Sequence, residues 1–143
     1  NATFHEKIPP LLIKEVLEMS YQEVNFIRED QDYYIPVITR KEASRVNIRD
    51  IFYIETDLRI INIYTFNRIY RFYGKLDEIV KYLNDNFHRC HKSCVINLEK
   101  IVRMEDGVFY FQGEMTLRVG QNNYQHTRNR YIKYLEGNYG VNS

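Results

Sequence analysis

Long apolar runs are missing from this chain. The longest uninterrupted ones are a few residues, far short of the roughly 20 that a bilayer-crossing helix needs, and the start lacks the charged-then-apolar pattern of a secretory leader. No membrane-crossing helix is expected within these residues, and the chain reads as cytoplasmic. Glycine is sparse and scattered, six in 143 residues, so neither a phosphate-cradling loop nor a Gly-x-Ser-x-Gly nucleophile elbow is present. Cysteine is limited to Cys90 and Cys94. On an extended strand their α-carbons lie about 13 Å apart and on a helix about 6 Å, whereas a disulfide needs roughly 7 Å or less. An extended segment there excludes a bridge, and reduced thiols suit the cytosol.

What is present fits one soluble domain with room for an accessory helix. The 13 tyrosines and 8 phenylalanines tilt the composition toward strands. Charge is segregated along the chain. Residues 1–36 carry 3 Lys/Arg against 7 Asp/Glu, residues 37–135 carry 17 against 11, and the tail adds one Glu. An acidic leader before a basic body points to an anionic partner for the body.

Periodicity divides the chain in three. Residues 1–36 form a linker with an amphipathic helix over Leu11 to Ile27, where Ile13, Val16, Leu17, Val24 and Ile27 share a face after Pro9-Pro10. Residues 37–135 form the body, and 136–143 a loose tail. Short strands are expected at Tyr33 to Thr39, Ser44 to Asn47, Ile51 to Thr56, Arg59 to Thr65 and Ile69 to Tyr73. A helix follows from Leu76 to about Asn86. Strands resume at Phe87 to Ile96, Ile101 to Glu105, Val108 to Gln112 and Met115 to Gly120, with turns at Asp106-Gly107 and Gly113-Glu114. A polar loop over Gln121 to His126 leads to a short helix, capped by Thr127 and ending near Leu135. No internal repeat is evident. The fold class is mainly β, antiparallel, with two or three short helices.

The densest run of functional side chains is Phe87-His88-Arg89-Cys90-His91-Lys92-Ser93-Cys94-Val95-Ile96-Asn97. If extended, it places Arg89, His91 and Ser93 on one side about 7 Å apart, close to the spacing of successive phosphates along a DNA strand. Lys92 then points elsewhere, unless the chain turns there and frees it to reach a groove. Taken alone, such a strand is more often a solvated sheet face. A zinc site from His88, Cys90, His91 and Cys94 is a rival reading, disfavoured because structural zinc usually draws its ligands from separated segments. His91 and Ser93 are too close in sequence for a hydrolase pair, and no acidic orienter stands beside them, so an enzyme is not expected.

The pattern Phe87-x-Arg89-x-His91-x-Ser93-x-x-x-Asn97 resembles the signature of the LytTR family of DNA-binding domains. Ile48-x-x-Ile51-x-Tyr53-Ile54-Glu55 is similar to the family's first core strand, and Phe72-Tyr73-Gly74-Lys75-Leu76 to the lead into its helix. The likeness runs from about Val37 to Leu135 and is greatest to the accessory-gene-regulator branch, which shares Arg-Cys-His and Phe-Tyr-Gly. The resemblance implies elongated antiparallel sheets that read double-stranded DNA with loops rather than with a recognition helix. It further implies the output domain of a bacterial two-component response regulator, acting in transcription regulation.

Carried over by position, the resemblance makes Lys92 a groove-contacting residue, has His91 and Ser93 bind or position the backbone, and gives Arg89 an added charge. Thr56-Asp57-Leu58-Arg59 falls in the family's first reading loop, with Arg59 as candidate. The third contact region falls on His126-Thr127-Arg128-Asn129-Arg130, with Arg128 and Arg130 as candidates and Gln121 or Asn123 as alternatives in a segment that looks inserted. A guanidinium suits guanine recognition because it can pair bidentately. Cys90 matches a cysteine that forms a redox disulfide in that branch, but no second cysteine stands at residues 114–119, so the same switch is not expected. No cofactor or metal is implied. The expected partner is promoter DNA with direct repeats, with pairing of two copies on DNA or through the N-terminal helix. A β-rich protein-interaction module and a zinc-binding domain stay open as alternatives.

Overall fold

The computed structural model of the chain describes residues 34–139. The helix expected over Leu11 to Ile27 lies outside them. Ten strands and two helices follow in order: β1 Tyr34–Ile38, β2 Ala43–Asn47, β3 Ile51–Asp57, β4 Ile60–Thr65, β5 Ile69–Tyr73, α1 Leu76–Ile79, β6 Phe87–His91, β7 Cys94–Asn97, β8 Ile101–Glu105, β9 Val108–Phe111, β10 Thr116–Arg118 and α2 Gln121–Tyr139.

The strands form three sheets in which every pairing is antiparallel: β1-β2, β10-β9-β8, and a central sheet ordered β5-β4-β3-β7-β6. The period of two along the central strands sends alternate side chains to two separate cores. On one face Ile54, Ile61, Ile63 and Val95 meet Ile35, Val37 and Val46 of the β1-β2 hairpin and Leu76 and Ile79 of α1. On the other, Tyr53, Cys94 and Ile96 meet Phe109 and Phe111 of β9, Leu117 of β10 and Tyr131 of α2. Both cores are rich in β-branched and aromatic residues, the types that pack well on a pleated surface.

One local structural motif occurs twice. Asn47 leads a 3-10 turn, Ile48–Asp50, into β3, and Asn97 leads a second, Leu98–Lys100, into β8. In each case the Asn carboxamide oxygen accepts a backbone N–H two residues on, from Arg49 at 2.9 Å and from Glu99 at 3.1 Å. Each following strand carries a bulge near its start, between Ile51 and Tyr53 and between Ile101 and Arg103, and then turns into a hairpin. Sequence identity between the copies is slight, because only the capping Asn, a buried aliphatic residue and the strand-opening Ile are physically required.

Three local expectations change. The helix after Gly74 does not reach Asn86: α1 passes at Val80 into a 3-10 turn, Val80–Tyr82, and the chain becomes extended at Leu83. Asn84 then folds its carboxamide onto the Asn86 N–H at 2.9 Å, the local bonding by which Asn competes with helix. The segment Phe87 to Ile96 is two strands, because Lys92 and Ser93 form a turn between β6 and β7. The final helix is longer than expected: α2 begins at Gln121, so Gln121 to His126 is helical and Thr127 is buried mid-helix rather than a cap. Its packing face is Tyr124, Thr127, Tyr131 and Tyr134, a stripe of hydroxyl-bearing residues. Tyr124 stacks on Phe109 at 5.5 Å, and the Tyr131 hydroxyl donates to the Ile101 carbonyl at 2.7 Å.

Candidate nucleic-acid interface

Antiparallel register brings several chain reversals to one end of the central sheet. Asp57 pairs with Ile60, Ile60 with Tyr73, Glu55 with Cys94, and Cys94 with His91. The Leu58-Arg59 turn, the exit of β5 and the Lys92-Ser93 turn therefore lie along one rim. Two backbone bonds lock them side by side: the Thr56 N–H donates to the Ser93 carbonyl and the Gly74 N–H to the Arg59 carbonyl, each at 2.9 Å.

Arg59 and Lys92 are exposed on this rim. His91 is exposed beside Lys92, and its Nδ1 accepts the Ser93 N–H at 3.1 Å, so the imidazole shapes the turn. Ser93 is half-buried. A bulge between Arg89 and His91, followed by the turn, replaces the expected row of three side chains 7 Å apart. Arg89 is exposed but engaged: its guanidinium donates to the Asp77 carboxylate at 2.6 Å and to the Lys92 carbonyl at 2.7 Å. It braces the turn against α1 instead of standing as a free charge.

Helix α2 runs antiparallel to β6. The His126 ring lies 5.1 Å from that of His88, and four residues on, Arg130 donates to the Asp85 carbonyl at 3.2 Å. The first turn of α2, with exposed Gln121 and half-buried Asn123, is thus directed toward the rim that carries Lys92. Arg130 is directed the opposite way and is occupied by Asp85, and exposed Arg128 follows His126 in that direction. Of the sequence candidates, Arg59, Arg89, His91, Lys92, Ser93, Gln121 and Asn123 gather toward one end, while Arg128 and Arg130 lead away from it.

Two further rim residues, Lys75 and Leu58, were not among the sequence candidates. Lys75, just beyond β5, is exposed, and its signal was its place two residues after a strand end. Leu58 is 93% exposed with φ of 58°. A left-handed φ costs a side chain with a β-carbon roughly 1–2 kcal/mol, and apolar exposure adds no compensation. The equivalent turn between β8 and β9 uses Asp106-Gly107, φ of 54° and 82°, the residue types such a turn favours. The Thr56 hydroxyl donates to the Leu58 carbonyl at 3.2 Å and helps hold the strained residue in place.

Behind the rim, Cys90 and Cys94 are both buried and free. The hairpin folds them together, unlike the separation expected of a continuous strand. The Cys90 thiol donates toward the Cys94 carbonyl at 3.7 Å, and its hydrogen bond with the Cys94 thiol, together with burial, pushes the Cys94 thiol far above the usual thiol range. Glu55, half-buried nearby, is raised by desolvation. The four residues weighed as zinc ligands diverge: the thiols point inward, His91 bonds the turn and His88 faces His126. Among the described residues no group of three or more His, Cys, Asp or Glu converges as a metal would require. Among them, too, no helix is long and apolar enough to cross a membrane.

Comparison with known proteins agrees with this arrangement. Among curated proteins, none matches the sequence. Among solved structures the fold is similar to the LytTr DNA-binding domain assigned to a methyl-accepting/DNA response regulator from Bacillus cereus, with a TM-score of 0.59 and 17% identity over 71% of this chain and 97% of that one. At that identity the likeness speaks for the fold alone. The LytTr DNA-binding domain family itself matches residues 41–138, nearly the whole described body from the β1-β2 turn into α2. By fold and by sequence alike, the chain belongs to the LytTR family of DNA-binding domains.

Proposed function

We propose that this protein is a sequence-specific duplex-DNA binder, the output domain of a bacterial transcriptional response regulator, working in the cytoplasm and carrying out no catalytic step. The observation that carries the reading is the shared rim, where Arg59, Lys75 and Lys92 stand exposed on adjacent reversals braced by backbone bonds. Lys and Arg displace counterions from phosphates and supply most of the affinity, while the few side chains that reach base edges supply discrimination. Lys92 at the turn apex is placed for a groove, and His91, Ser93 and Arg89 set the shape and position of that turn. Gln121 and Asn123 extend the contact from the start of α2. Arg128 and Arg130 have a weaker claim, since they are directed away from the rim.

Two copies on direct repeats of a promoter are the expected arrangement. Selection of bound duplexes from a random pool, followed by gel shifts across a salt series, tests the reading. A recovered motif with steeply salt-dependent affinity is the expected result. The rival reading, a protein-interaction module using the tyrosine-rich surface, predicts no duplex shift. A footprint covering a single copy on a natural promoter contradicts the repeat arrangement.

A further inference from the structure

Leu58 is out of place by every local rule. It is 93% exposed, and it takes a left-handed φ at the first position of a two-residue hairpin turn, a place that glycine ordinarily fills. The recurring motif supplies a comparison: the same plan of Asn-led 3-10 turn, bulged strand and hairpin is closed in the second copy by Asp106-Gly107, both at positive φ, whereas in the first copy only Leu58 takes a positive φ. The first copy closes with an aliphatic residue instead, and its backbone is braced by the Thr56 hydroxyl and by the Gly74 and Thr56 amides. Strain held in place by surrounding bonds is the pattern of a residue kept for contact rather than for folding.

We infer that Leu58 is a specificity residue that meets the C5-methyl group of a thymine in the major groove, next to the step contacted by Lys92. The inference deepens the DNA-binding reading and rests on it. The major groove displays one apolar feature, the thymine methyl, and an aliphatic side chain can distinguish that base by burying it. The Thr56–Ser93 bond fixes Leu58 and Lys92 on neighbouring turns, so an apolar contact and a cationic one fall on adjacent parts of a single groove. A side chain held at the tip of a braced turn loses little conformational freedom on binding, which favours discrimination.

The test uses the full chain and duplexes selected from a random pool. Each thymine of the recovered site is replaced in turn by deoxyuridine, which removes only the methyl group. The wild-type protein should lose about fourfold in affinity at one thymine, the factor associated with one buried methyl group. Leu58→Ala and Leu58→Gly should bind the thymine and deoxyuridine versions of that position equally. Leu58→Gly should also melt at the same temperature as wild type or higher, so its loss of discrimination cannot be attributed to misfolding. The same deoxyuridine profile in wild type and both variants overturns the inference while leaving DNA binding intact. Failure of the wild-type protein to select or shift any duplex overturns the DNA-binding reading and this inference with it.

Discussion

The Thr56 N–H donates to the Ser93 carbonyl at 2.9 Å, one step beyond the last paired residues of β3 and β7, Glu55 and Cys94. That single bond extends the ladder into the two turns and holds them side by side. Residues far apart in the chain, Arg59 and Lys92, thereby share one rim.

Lys92→Ala should reduce binding of duplex DNA and also flatten its dependence on salt. Lys92 is exposed at a turn apex, so its ammonium is available to a phosphate or a base edge. Removing a phosphate contact lowers the slope of log K against log salt by about one, while removing a base contact costs about 1–3 kcal/mol on the selected site with less change on random duplex. Filter binding at several salt concentrations measures both, and an unchanged slope with unchanged affinity removes Lys92 from the interface.

Arg89→Ala should behave differently, although it also deletes a cation. Its guanidinium is held by Asp77 and by the Lys92 carbonyl, so its role is to fix the turn. Affinity for the selected site should fall with the salt slope nearly unchanged, and Asp77→Ala, which removes the same brace without removing a cation, should also weaken the specific complex. A slope lowered by about one in Arg89→Ala would instead make Arg89 a direct phosphate contact.

Most of the sheet could be read from the short segments rich in β-branched and aromatic residues at Ile51 to Thr56, Arg59 to Thr65 and Ile69 to Tyr73, each bounded by charged or turn-forming residues; the first two are buried on both faces, between the two cores. The Lys92-Ser93 turn could not, since neither residue is a turn former of the Asn-Gly kind and both neighbours look like strand. The first turns of α2 were hidden for another reason. Its buried stripe is tyrosine and threonine rather than leucine, so a search for aliphatic periodicity saw a polar loop. The capping Asn of the repeated motif lay in plain view at Asn47 and Asn97, but its meaning depends on backbone direction, which sequence does not display.

Asn97→Ala should destabilise the domain. The side chain is 1% exposed; its amide donates to the Ile51 carbonyl at 2.9 Å and its oxygen accepts the Glu99 N–H. Ile51 opens the bulged strand β3 and Glu99 lies in the 3-10 turn that leads into the bulged strand β8, so truncation leaves a buried carbonyl and a turn N–H without their bonds. An orphaned buried group costs about 1–3 kcal/mol. For a domain near a hundred residues each kcal/mol lowers Tm by roughly 4–8 °C. Thermal unfolding followed by circular dichroism measures the shift, and a Tm within one degree of wild type would show that the Asn97 bridge contributes little.

His88 should make the docking of α2 sensitive to mild acid. Its Nε2 is buried and has no hydrogen-bond partner among the described residues. Burial, then the neighbouring His126 and Arg130, hold its pKa below the ordinary 6.5. A base with a lowered folded pKa binds fewer protons when folded than when unfolded, so stability rises with pH between those two values. The contribution is complete above about pH 6.5 and is lost as pH falls through the lower folded value. Glu42, whose pKa is lowered by its Arg68 partner, adds a loss of the same sign only below the ordinary carboxylate value of 4.5. Glu55, whose pKa is raised by burial, acts with the opposite sign, gaining stability as pH falls from its raised folded value toward the ordinary 4.5. Melting temperature between pH 7.5 and pH 5, a window chosen to bracket the free histidine value of about 6.5, should therefore fall in wild type. His88→Phe, which keeps a ring against His126 but cannot take up a proton, should flatten that fall, and an equally steep decline in the variant would assign the sensitivity to other groups.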